Sequence, residues 1–248
     1  MDLETFTRST DDLPRITSLE PGWELLEPDE DLPVALVVHV PLKGDSESGI
    51  PETDEQHDAM TAVAESLVKS LSRQLDARFI AVDTCDSMHA FHFRIPKGKA
   101  PGPAIAEALK KTGSKAERVE CYEDEEWDTV FDGVLPDPYE VATSDALMLI
   151  WTLEDEGANL ASPRPVRHTI LLPDTAGYDA FKAWAEPRGY KVTKGEAIDE
   201  VGFHVHATRD EAVDPDAALD EVEAVVEETL RHDGTYVEWD CTGDDRRD

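Results

Sequence analysis

The chain has 248 residues, enough for two domains of ordinary size, each able to bury its own core. It carries 56 acidic residues against 23 basic ones, a formal net charge of −33, so nucleic acid and anionic membrane surfaces are excluded as direct partners by repulsion. The acids are spread over predicted helices, loops and both ends, a pattern that suits a salt-rich, halophilic cytoplasm where a short Debye length screens them.

No window approaches the roughly 20 apolar residues that span a bilayer, and Met1-Asp2-Leu3-Glu4 lacks the basic flank of a secretion signal. A soluble, cytoplasmic protein is expected. The three cysteines, Cys85, Cys121 and Cys241, form no Cys-x-x-Cys pair and are expected as reduced, buried thiols.

In chain order, residues 1–33 are poorly patterned and hold one or two edge strands at best. Val34 to Leu42 predicts a central strand. Thr53 with Gln56 forms a capping-box spacing, and Met60, Val63, Ala64, Leu67, Leu71 and Leu75 make one apolar stripe, which predicts a helix. Arg78 to Thr84 and Ala90 to Pro96 read as a hairpin, Pro101 to Thr112 as a short helix and Lys115 to Tyr122 as a strand. The prolines of Leu135-Pro136-Asp137-Pro138 stop this first unit, and Ser144 is read as the N-cap of a helix from Asp145 to Glu156.

The same order is then written again. Val166 to Leu172 predicts a strand; a helix follows Asp174 with Tyr178, Phe181 and Trp184 inward. Tyr190 to Thr193 and Val201 to Ala207 are strands, the latter with His204 and His206 outward and Val201 inward. Pro215 opens a helix, and Thr235 to Thr242 closes the unit. Each unit reads β-α-β-β-α-β, so the expected fold is α+β: two tandem ferredoxin-like sandwiches, residues 1–136 and 166–248, joined by a helical connector, 137–165.

Such a sheet leaves one face open, where His39, His92, Arg94, His204 and His206 would lie. No further ligand stands at metal spacing beside these histidines, so neither metal nor cofactor is expected. The phosphate-cradling, dinucleotide and nucleophile-elbow motifs are all missing, which places an enzyme below a binding protein. Tyr236 and Trp239, three residues apart on the last strand, are expected on opposite faces, one of them covered by Trp151 or by a partner. The candidate partner-binding residues are Tyr236, Trp239, His204, His206 and Trp151.

The second half resembles the family of the protein B regulator of ribonuclease E activity. The points of match are the helix ending at Glu156-Gly157, His168-Thr169-Ile170, Arg188-Gly189-Tyr190-Lys191-Val192 and Gly234-Thr235-Tyr236-Val237-Glu238-Trp239. Glu238 stands where that family often has glycine, and its long acidic tail is here only Asp244 to Asp248. Through Val38-His39-Val40-Pro41-Leu42 and Glu126-Trp127-Asp128-Thr129-Val130-Phe131 the first half resembles the uncharacterised domain family often fused upstream of it. The resemblance implies a non-catalytic regulator that binds a ribonuclease or a component of its assembly. The alternative is a small-molecule-sensing or catalytic tandem with a pocket between the sheets, lined by His39, His92, His204 or His206.

Overall fold

The computed structural model describes residues 3–10, 13–198 and 201–241. The chain divides into two compact units, Met1–Pro136 and Asp137–Asp248, and each is built on an antiparallel sheet of its own.

The first unit opens with the edge hairpin β1 (Glu4–Thr10) and β2 (Leu13–Leu19), followed by β3 (Val34–Pro41). Helix α1 (Asp54–Leu75) starts where the capping box demands: Thr53 accepts from the Gln56 amide and Gln56 reaches back to the Thr53 amide. β4 (Arg78–Cys85) and β5 (Met88–Ile95) pair through a two-residue turn, Asp86-Ser87, both at positive φ, the geometry that matches strand twist. Helix α2 (Gly102–Thr112) and β6 (Arg118–Glu123) follow. The sheet order is β1-β2-β4-β5-β3-β6. Its inner face, through Leu36, Val38, Phe91 and Phe93, packs on Leu67 and Leu71 of α1 and Ile105 and Leu109 of α2 in one core.

The other face of this sheet is not open, contrary to the sequence reading. A short helix α3 (Asp128–Gly133) and its flanking turns cover part of it. Trp127 is fully buried with the Arg94 guanidinium 4.8 Å above its ring, and Arg94 pairs with Asp124 at 2.7 Å. Stacking on Trp127 and the bonds from both terminal nitrogens to Asp124 offset much of the cost of an arginine at zero exposure.

The second unit starts with α4 (Pro138–Asp155), not at Asp145. Asp137 and Glu140 form a reciprocal capping box with Pro138 at the first helical position, so the proline read as a breaker is a helix starter. Ala142, Ala146, Ile150 and Leu153 pack with Val222 and Val226 and with Trp239, making this helix part of the second core. Then come β7 (Arg164–Leu172), α5 (Thr175–Ala185), β8 (Lys191–Ile198), β9 (Gly202–Glu211), α6 (Pro215–Leu230) and β10 (Thr235–Cys241). The order β10-β7-β9-β8 is antiparallel throughout. Val201 is about half exposed (52%) because it lies in the turn before β9 and not on its inner face. Thr242, expected to end β10, lies outside the described residues. Gly202 has φ 137°, and a Cβ there would stand 2.1 Å from the Leu172 carbonyl oxygen. Only glycine lets β9 close on β7 at that point.

Candidate functional site

The second unit presents two polar assemblies, one on each side of its sheet. On the outer face, His204 and His206 are half-buried with ring centroids 6.4 Å apart. Thr169 donates to Glu238 Oε1 at 3.2 Å, so at 3.2 Å it accepts from Nδ1–H of His206. With Nδ1 engaged, His206 Nε2 is turned toward Gly195. Gly195 makes room for it, since a Cβ there would lie 3.0 Å from that nitrogen. Arg167 pairs with Asp240 at 2.8 Å on the same face. The arrangement offers alternating donors and acceptors across an exposed sheet. Among the described residues no group of three or more His, Cys, Asp or Glu side chains is placed to hold a metal ion.

On the helix-facing side, His168 is fully buried. Tyr190 donates to Glu221 at 2.7 Å, so its oxygen accepts from His168 Nε2–H at 3.3 Å, and Tyr236 donates to Nδ1 at 2.9 Å. Burial, helped by the Arg209 charge, pushes His168 down to about 3 and keeps the imidazole neutral. Burial, then the Glu221 hydrogen bond, pushes the Tyr190 phenol up. Arg209 lies 4.4 Å over the Tyr190 ring and 3.3 Å from Glu221, and it pairs with Glu211. Burial raises the Glu211 carboxyl against the pull of that cation. His168, Tyr190 and Tyr236 all stand in stretches that mark the resemblance, yet nothing in the sequence showed that they meet. They sit on three separate strands or strand entries.

The predicted partner-binding residues divide. Tyr236 and Trp239 lie on one face, not opposite faces, because the pairing of β10 with β7 shifts between Tyr236 and Glu238. Val237 is the extra residue, and this bulge turns both aromatic rings toward the helices. Trp239 is 7% exposed within the core. Trp151 is 52% exposed and Met148 57%, one helical turn apart on α4. The exposed apolar surface of this helix is therefore at Trp151 and Met148.

In the first unit His39 and His92 each take a carboxylate of their own. His39 lies 3.1 Å from Glu120, and His92 lies 3.2 Å from Asp83, which also binds Arg15 at 2.6 Å and accepts from Thr17. Burial works to raise the Asp83 carboxyl, but His92 and Arg15 outweigh it and hold it down at about 2. Cys121 is exposed, contrary to expectation, and partial burial raises its thiol further from reactivity.

Residues 3–134, more than half of the chain, match the family described as "Family of unknown function (DUF695)". The chain belongs to that family. Residues 145–241 match a second family, "Regulator of ribonuclease activity B", so the DUF695 unit is followed by a unit similar to that regulator. The second match covers α4 from its middle through β10, including both polar assemblies. No curated protein matches the chain. A crystal structure of an unknown protein from Galdieria sulphuraria is 12% identical, with 84% of this chain and 96% of that chain covered, at a TM-score of 0.20, a likeness too low to bear on the fold. No helix among the described residues is long and apolar enough to cross a membrane.

Proposed function

We propose that the protein is a non-catalytic regulator that binds a ribonuclease or a component of an RNA-degrading assembly in the cytoplasm. The observation that carries this reading is the match of residues 145–241 to the regulator of ribonuclease activity B. The charge supports it. A chain of net charge −33 competes with RNA for a basic RNA-binding surface, and such a surface lowers nuclease activity when it is occupied. Trp151 and Met148 supply an apolar anchor of the type enriched at interface centres, and the outer-face donors and acceptors around His204 and His206 supply specificity. We read both sheets as ferredoxin-like. Numbered along the chain in the β-α-β-β-α-β order, the four strands of each unit lie side by side in the order 4-1-3-2, and the first sheet is extended by β2 and β1.

The test is capture from a salt-rich native lysate with the full chain as bait, identification by mass spectrometry, and a cleavage assay on the ribonuclease recovered. The expected result is a ribonuclease or exosome component that is slowed by the protein and lost when the bait carries Trp151→Ser. Recovery of no RNA-processing protein, or equal recovery by both baits, overturns the reading at this surface.

A further inference from the structure

The DUF695 unit has a feature at odds with the rest of the surface. α2 and β6 enclose an open groove of about 680 Å³ whose apolar wall includes Ile105, Leu109, Ala116 and Val119 and whose rim carries Lys110 and Lys115. Among the described residues β6 is the last strand of its sheet, and one row of its backbone amides and carbonyls has no strand partner there. Val119 and Cys121 lie opposite Val38 and Leu36 and so face the helix side, yet both are exposed, Val119 by 44%. Edge strands are ordinarily guarded by proline or by inward-pointing charge; the helix-facing side of β6 has no proline, and its one charge, Glu123, stands at the far end of the strand from the groove, paired with Lys97.

The charge of this edge is equally unusual. Residues 97–123 contain Lys97, Lys99, Lys110, Lys111, Lys115 and Arg118 against Glu107, Glu117, Glu120 and Glu123, a small local excess of cations in a strongly acidic chain. Lys97, Lys99, Lys111 and Arg118 each have a carboxylate within ion-pair distance. Among the described residues Lys110 and Lys115, the two on the groove, have none. The dipole of α2 favours a cation at Lys110 in its last turn but gives no reason for Lys115, which lies beyond the Gly113 cap.

We propose that the α2–β6 edge binds an extended, acidic and apolar segment of a partner protein as an added strand of the sheet. Main-chain hydrogen bonds to β6 would hold it in place. Alternate apolar side chains would enter the groove over Val119 and Leu109, and carboxylates would meet Lys110 and Lys115. A second copy of this chain is the poorer occupant, since it brings a charge of −33 onto a charge of −33.

The experiment uses the full chain at the lowest salt that keeps it folded. The probes are two fluorescein-labelled, end-blocked nonapeptides in which valine alternates with threonine and glutamate, or with threonine and lysine. Binding is followed by anisotropy, and amide hydrogen exchange locates the site. The glutamate peptide is expected to bind at least tenfold tighter than the lysine peptide and to slow exchange at residues 118–123, and Lys110→Glu with Lys115→Glu is expected to reverse the preference. Equal binding of both peptides, binding of neither, or protection away from β6 overturns the proposal. Displacement of the glutamate peptide by dodecanoate without any slowing at β6 also overturns it, in favour of an acyl anion. Sedimentation showing a dimer that the double variant abolishes overturns it in favour of self-association.

Discussion

Tyr236 and Trp239 point to the same side of β10, three residues apart, because Val237 is bulged out of the ladder between them. Trp239→Ala is therefore expected to remove a core side chain and to cost about 3–5 kcal/mol of stability. Trp151→Ser, at an exposed position, is expected to stay within about 0.5 kcal/mol of the parent. Denaturant titration of both variants in molar potassium chloride checks the pair; a Trp239→Ala variant as stable as the parent would contradict the packing described.

The Tyr236 hydroxyl is one of two partners of a buried imidazole. Tyr236→Phe keeps the ring and leaves His168 Nδ1 without a donor, so a loss of about 1–3 kcal/mol is expected. A His168→Phe, Tyr236→Phe double variant is expected to lose less than the sum of the two single changes, which a double-mutant cycle measures.

His168, pushed down by burial to about 3, and His89, pushed down by burial and by His57 to about 4, are neutral in the fold and titrate near 6.5 when the chain unfolds. Between these limits the unfolded state binds more protons, so stability falls as pH falls. From pH 7 to pH 4.5 each histidine is expected to withdraw about 2.5 kcal/mol. Molar salt is needed to suppress the opposing relief of acid–acid repulsion. His168→Phe should flatten the slope over this window, and an unchanged slope would remove His168 as its source.

Asp83 is nearly enclosed by Arg15, His92 and Thr17. Asp83→Ala leaves the Arg15 cation half-served and is expected to cost roughly 3 kcal/mol. Because its folded carboxyl is held at about 2 against an ordinary 3.8, the carboxylate's contribution is present above pH 4 and fades only as pH drops toward 2. Thermal unfolding at pH 7 and pH 2.5 should therefore bring the variant and the parent closer together at the acid end.

Much of the fold could be read in the sequence where local chemistry alone decides the outcome. Thr53 with Gln56 announced α1, and the alternation of Phe91, Phe93 and Ile95 announced β5. The signal for α4 was present in Asp137-Pro138 and Glu140 but was outweighed by the habit of reading proline as an end. The bulge at Val237 was not readable, since an extra residue in a ladder is a property of two strands and only one of them is local. The same holds for the meeting of His168 with Tyr190 and Tyr236, which depends on the register of β7 and β10 and on the docking of α6. The cover that Trp127 gives Arg94 is likewise a tertiary contact between residues that local pattern treats as loop and strand.

The crowding at Gly202 also gives geneticists a handle. A methyl group there has to push the Leu172 carbonyl aside, so Gly202→Ala weakens the closure of β9 on β7 without touching any exposed group. In a host cell such an allele would behave as a heat-sensitive switch for the second unit. The first unit, with a separate core, would stay folded at the restrictive temperature, and the cellular roles of the two halves would be separated within one intact gene.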